Sequence, residues 1–195
     1  RLAPQHTARR SSWLGRLEKR RSSSAHLPWR SGSYVPTLNG VVGGETVDGQ
    51  GKQVPLSPAI ALMLRGPIIQ VSISVAPVVA QTILSAGGTV PPPVNGIGLI
   101  DTGASGTCID DDVALGLNLP VTGTATMASA SHAGSQRNLY PIQLEVMGWP
   151  IKWHTNRAMG ASLKAQGLIA LIGRDMLRAC VLVYNGTAGT FSLSF

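Results

Sequence analysis

One carboxylate in this chain stands where chemistry can be built on it. In the run Leu99-Ile100-Asp101-Thr102-Gly103-Ala104-Ser105, Asp101 is the first polar residue after a short apolar stretch. It is followed by Thr, Gly and two small residues. An apolar strand that ends on an acid can place that acid at the mouth of a β core. Gly103 lets backbone come close and lets an N–H point at the carboxylate. The plainer alternative is an Asp that only closes a turn. A second motif follows the same plan: Ala170-Leu171-Ile172-Gly173-Arg174-Asp175-Met176-Leu177 has apolar residues, then Gly, then Arg-Asp opening a short helix.

Other chemistries find little support. The four histidines are scattered and show no HExxH spacing, which argues against a metalloenzyme. Two cysteines, Cys108 and Cys180, cannot build a disulfide scaffold or a four-ligand zinc site, and they read as buried free thiols. Asp110-Asp111-Asp112 lacks EF-hand spacing and a distal Glu, so it reads as acids at the start of a helix. No cofactor is expected.

These motifs need a scaffold, and composition says which kind. The chain has 195 residues, enough for one domain or one domain with a tail. Apolar residues make up 44% and charged residues 13%, so a core is affordable and wholesale disorder is excluded. With 23 glycines, 13 prolines and only 5% aromatics, the mix leans to a turn-rich β protein rather than a helix bundle. The net charge of +7 belongs to one end, because residues 1–30 carry eight basic residues and one acid, Glu18. The remainder balances eight against eight. A basic tail suits phosphate or an anionic membrane surface, but this one reads first as a solvated, unstructured segment. The best apolar window, 56–80, is cut by Arg65, Gly66 and Pro67, which spoils a span of ~20 residues. Membrane insertion is not expected, and no apolar stretch of a leader follows the first arginines. The expected compartment is the cytoplasm, or the periplasm if a leader has been removed.

Residues 1–55 are expected to be a disordered basic, Gly/Ser-rich tail and linker, and 56–195 the folded domain. In 67–75, Ile69, Val71, Ile73 and Val75 alternate with Gln70, Ser72 and Ser74, the pattern of a half-buried strand. Pro77 can open a helix that Gly87-Gly88 stops. Residues 98–100 make a short strand that delivers Asp101. Segments 121–127 and 139–146 read as strands, with a long hairpin tip at 128–137 between them. Strands are also expected at 150–154, 168–173, 180–184 and 190–195, with a helical turn at 163–166 and a turn at Asn185-Gly186.

The order and separation of DTGAS and LIGRD resemble the retropepsin type of aspartic protease, above all the bacterial single-lobed members. The resemblance spans about 56–195. It implies a mainly β, retropepsin-like acid protease fold: a closed barrel-like lobe with a flap hairpin and one or two short helices, active as a homodimer. It implies an aspartic endopeptidase acting on polypeptide, with Asp101 catalytic and each protomer bringing one copy to a two-fold axis. Two such carboxyls share one proton. By the same resemblance Thr102 locks the two loops through its hydroxyl, Gly103 holds the carboxylate beside Ala104, and Gly173 permits close packing next to Arg174. Ser131, His132 and Gly134 would belong to the flap.

One departure stands out. Retroviral relatives carry an acid where Ser105 stands, paired with the Arg after the second Gly. Here that Arg is Arg174, so an Asp of the 110–112 run or a chain terminus is left as its partner. The helix after Pro77 is an insertion relative to the small retroviral enzymes. A second functional class is a catalytically weak binding or dimerisation module, with the basic tail meeting nucleic acid or membrane. No nucleic acid is expected on the domain itself.

Overall fold

The computed structural model describes residues 35–129 and 132–195, and their side chains except at 128, 129, 132 and 133. In chain order it has strands β1 (Thr37–Val41), β2 (Glu45–Val47) and β3 (Gln53–Pro55), helix α1 (Pro58–Arg65), β4 (Ile68–Val75), α2 (Pro77–Ser85) and β5 (Val94–Ile100). Then come β6 (Cys108–Asp110), α3 (Asp111–Gly116), β7 (Gly123–Ser129), β8 (His132–Val146) and β9 (Ile151–Ala161). A 3₁₀ turn (Lys164–Gln166), β10 (Ala170–Ile172), α4 (Arg174–Leu177), β11 (Val181–Asn185) and β12 (Thr190–Ser194) complete it.

Six strands close on themselves in the order β4-β5-β10-β6-β9-β8, because β8 pairs back with β4. Closure leaves no open edge in the ring. The period-2 reading of β4 holds: Ile69, Val71, Ile73 and Val75 are buried and alternate with half-buried residues. Burying each such side chain contributes about 1.5–3 kcal/mol, so Ile73→Ala would be a costly change. The helix expected after Pro77 is also present, with Pro77 in its first turn and no fully buried residue.

The joins carry the architecture. β5 and β10 run parallel, with Gly98 opposite Ala170 and Ile100 opposite Ile172. This pairing makes residues 101 and 173, some seventy positions apart in sequence, leave the sheet side by side. Asp101 N–H donates to the Ile172 carbonyl at 3.0 Å, which extends the pairing by one residue.

Three expectations are corrected. First, 35–55 is not linker: β1 pairs with β12, and Leu38 and Val42 are buried in the main core. Two of its glycines, Gly40 and Gly44, sit against other side chains, while Gly49 and Gly51 lie in an open turn. A Cβ at Gly40 would collide with the Phe191 ring, and one at Gly44 would lie 2.6 Å from the Arg65 guanidinium carbon. Second, α1 was hidden inside the apolar 56–80 window. Ser57 caps it, with its hydroxyl oxygen accepting from Ile60 N–H at 3.4 Å, Pro58 opens it, and Gly66 ends it at φ +70°. Third, most of 128–137 is strand, not hairpin tip. β8 is a single 15-residue strand whose first part pairs with β7 and whose second part lies between β9 and β4. Of the residues that suggested a loop, 134–136 are exposed on a two-stranded arm.

Candidate active site

Asp101 is half-buried at the end of β5, in a loop that runs to Thr107 before β6 begins. Its Oδ1 accepts Gly103 N–H at 2.8 Å and Ala104 N–H at 3.3 Å. Its Oδ2 accepts from no described residue. One oxygen is therefore fixed by backbone donors and the other is left for a ligand, which is what a working carboxylate needs. A Cβ at Gly103 would lie 3.0 Å from Oδ1, so a side chain there would crowd the carboxylate.

The second motif packs behind this loop. A Cβ on Gly173 would fall 2.5 Å from the Gly106 carbonyl carbon, so only glycine lets the two turns approach this closely. Arg174 N–H donates to the Ala104 carbonyl at 3.0 Å. Its Nη1 donates to the carbonyls of Thr102 at 2.9 Å and Gly103 at 3.3 Å. The partner of Arg174 is thus loop backbone, and the expected pairing with the 110–112 run is not made. Those acids are engaged elsewhere. Asp110 is buried and accepts from Leu163, Lys164 and Asp112 N–H at 2.7, 2.8 and 3.0 Å. Asp111 lies 3.7 Å from Arg137 on β8, and Asp112 lies 2.5 Å from Lys164.

Two residues of this region escaped the sequence reading. Thr107 is fully buried, and its N–H and hydroxyl donate to Asp175 Oδ2 and Oδ1 at 3.0 and 2.8 Å. The Thr107 hydroxyl oxygen in turn accepts Gly173 N–H at 3.1 Å. Asp175 alone reads as an acid in the first turn of a helix, and nothing local links it to a threonine 68 residues away.

Thr102 and Gly103 are exposed in the single chain, and the Thr102 hydroxyl bonds to no described residue. Cys108 is buried next to the loop and Cys180 is half-buried, both as free thiols. Burial pushes the Cys108 thiol up to about 11, with the Asp175 and Asp101 charges adding to the rise. Burial raises Cys180 as well.

Of the flap residues, Ser131 lies outside the described residues. For His132 only the backbone is described, in β8 opposite Ser129. Gly134 is exposed on β8, and a Cβ there would run into the Thr126 side chain of β7. The β7–β8 arm does reach the neighbourhood of the Asp101 strand. Met127 of β7 packs on an apolar cluster built around Cys108, Ala161, Leu163 and Leu168, which Leu99 also joins. This cluster is separate from the main core.

No protein-family model matches the chain. No curated protein matches it either. Among solved structures, the chain is similar to a retropepsin-like aspartic protease from Rickettsia conorii. The two share 10% sequence identity at a TM-score of 0.43, over 85% of this chain and 98% of that one.

Proposed function

We propose that this protein is an aspartic endopeptidase that hydrolyses peptide bonds with water activated between two copies of Asp101, one from each protomer of a homodimer. The observation that carries the reading is the Asp101 carboxylate itself, with Oδ1 held by two backbone N–H groups and Oδ2 engaged by no described residue. A single chain supplies one such group, and the exposed Thr102 and Gly103 form the surface on which a second copy would meet it. Two carboxyls about 3 Å apart cannot both ionise and hold one proton between them. The ionised member takes a proton from water, and the protonated member donates a hydrogen bond to the scissile carbonyl. Attack gives a tetrahedral intermediate, and as its C–N bond breaks the carboxyl that took the water's proton gives a proton to the departing amine. The titration then belongs to the pair.

The substrate in this reading is an extended polypeptide. It lies between the Asp101 loop and the β7–β8 arm, which acts as the flap, and pairs with them as an added strand. Met127 and Leu99, both half-buried against one apolar cluster, offer it apolar contact. The test is cleavage of a denatured protein mixture from about pH 4 to 7, the range a shared proton suggests, by wild type and Asp101→Asn. Cleavage by wild type alone supports the reading. No cleavage by a folded, dimeric wild type overturns it.

A further inference from the structure

The Asp101 loop is tied down at both stems by the segment that follows β10, and the two ties differ in kind. At the first stem the bonds are backbone to backbone or end on backbone: Asp101 N–H to the Ile172 carbonyl, Arg174 N–H to the Ala104 carbonyl, and the Arg174 guanidinium to the Thr102 and Gly103 carbonyls. At the second stem a carboxylate does the work. Asp175 takes Thr107 N–H on Oδ2 at 3.0 Å and the Thr107 hydroxyl on Oδ1 at 2.8 Å, with Met176 N–H also on Oδ1 at 2.9 Å. Thr107 passes the link on by accepting Gly173 N–H at 3.1 Å. Both Asp175 oxygens are engaged at this part-buried junction, and one carboxylate links the Thr107 backbone, the Thr107 hydroxyl and the first turn of α4.

We propose that Asp175 is the positioning residue for Asp101. It fixes the far stem of the 101–107 loop, so that Gly103 and Ala104 keep their N–H groups on Asp101 Oδ1. The catalytic consequence rests on the protease reading above; the hold on the loop does not. Asp175 touches no reacting atom in this scheme. It acts through Thr107 and the loop backbone, and small displacements of a reacting group are enough to slow chemistry by about 100-fold.

The test uses the full chain with Asp175→Ala, Asp175→Asn and Thr107→Val. Two readouts are taken: alkylation of Cys108 in the native protein, with Cys180 as internal reference and peptides read by mass spectrometry, and kcat and KM for a cleaved peptide. Cys108 is 4% exposed beside the loop, so its labelling reports loop opening. Asp175→Ala and Thr107→Val are expected to raise Cys108 labelling about tenfold or more with Cys180 unchanged, and to lower kcat about 100-fold with KM nearly constant. Thr107→Val keeps the Asp175 charge, so its effect separates loop opening from a simple gain in thiolate. Asp175→Asn should recover much of kcat, because its amide can accept Thr107 N–H and donate to the Thr107 hydroxyl. Wild-type labelling and kcat in Thr107→Val and Asp175→Ala overturn the proposal. So do losses that follow global unfolding, seen as equal labelling of both cysteines. If Asp175→Ala does not fold, the near-isosteric Thr107→Val decides. If wild type cuts nothing yet both variants expose Cys108, the hold on the loop stands and the protease reading falls.

Discussion

Asp101 and Asp110 lie nine residues apart, each beside a short strand of one closed barrel, and they have opposite fates. Asp110 is buried, and its carboxylate accepts three backbone N–H groups, two of them from the 163–164 turn. Asp101 is half-buried, with two N–H donors on one oxygen and none from the described residues on the other. A carboxylate with both oxygens held by backbone is a fastener, while one with an oxygen left over can bind and react. The difference lies in what the next loop does. After Asp110 the chain turns straight into α3 and meets the 163–164 backbone. After Asp101 it runs through small residues that Gly173, Arg174 and Asp175 hold from behind.

The largest test of this contrast is Asp101→Asn. In the proposed reading it should lower peptide cleavage by about 10³-fold or more. The melting temperature should hardly move, since the amide oxygen can still accept from Gly103. A peptidase assay beside a thermal melt measures both. A variant that keeps its activity would make Asp101 a second fastener and erase the contrast.

Next in size is Asp110→Ala. It strands three N–H donors, two of them where the chain turns around Leu163, and should cost about 3 kcal/mol in urea unfolding. Cleavage per folded molecule should be retained. A loss of turnover without a loss of stability would place Asp110 in the chemistry instead.

Cys108 lies between the two acids in sequence and senses the loop. Its thiol is raised from 9.0 to about 11 in the folded chain, so folding favours the protonated form. Its stabilising contribution is fully present below about pH 9, the unfolded value, and is lost as pH rises through about 11. Over that interval the loss should approach about 2–3 kcal/mol, at 1.36 kcal/mol per unit. Unfolding curves of wild type and Cys108→Ser, compared from pH 8 to 11, should diverge in slope. Parallel curves would mean that the thiol is not shielded.

The smallest effect is expected at Asp112. Its contact with Lys164 lies on the surface, with the two side chains 60% and 80% exposed, so Asp112→Asn should change stability by under about 1 kcal/mol. A larger change would show that neighbouring acids of the same run share the fastening role of Asp110.

Much of the fold was legible because it is local. The alternation in β4 follows from a period-2 pattern, and α2 follows from Pro77 and the glycine pair after it. Asp101 was conspicuous as the first polar residue after an apolar strand. Other features were hidden because their cause lies far along the chain. Gly40 looked like linker until Phe191 came to lie against it. The exposed half of β8 looked like loop because a two-stranded arm needs no apolar face. Arg174 was expected to seek an acid, but a guanidinium can be satisfied by carbonyls, and the loop offers two within reach.

By itself, then, the sequence determined the strands with a clear apolar pattern, such as β4, the helix that Pro77 opens, and that a carboxylate stands at the end of one apolar strand. Those properties depend on neighbours a few positions away, through side-chain periodicity and the conformational limits of glycine and proline. Only the tertiary structure decided which acid is free and which is fastened. That choice depends on the parallel pairing of β5 with β10, which sets Ile100 opposite Ile172 and so brings Gly173, Arg174 and Asp175 against the Asp101 loop. Hydrogen bonds act over about 3 Å, and no pattern along the chain reveals which distant groups will be brought within that distance.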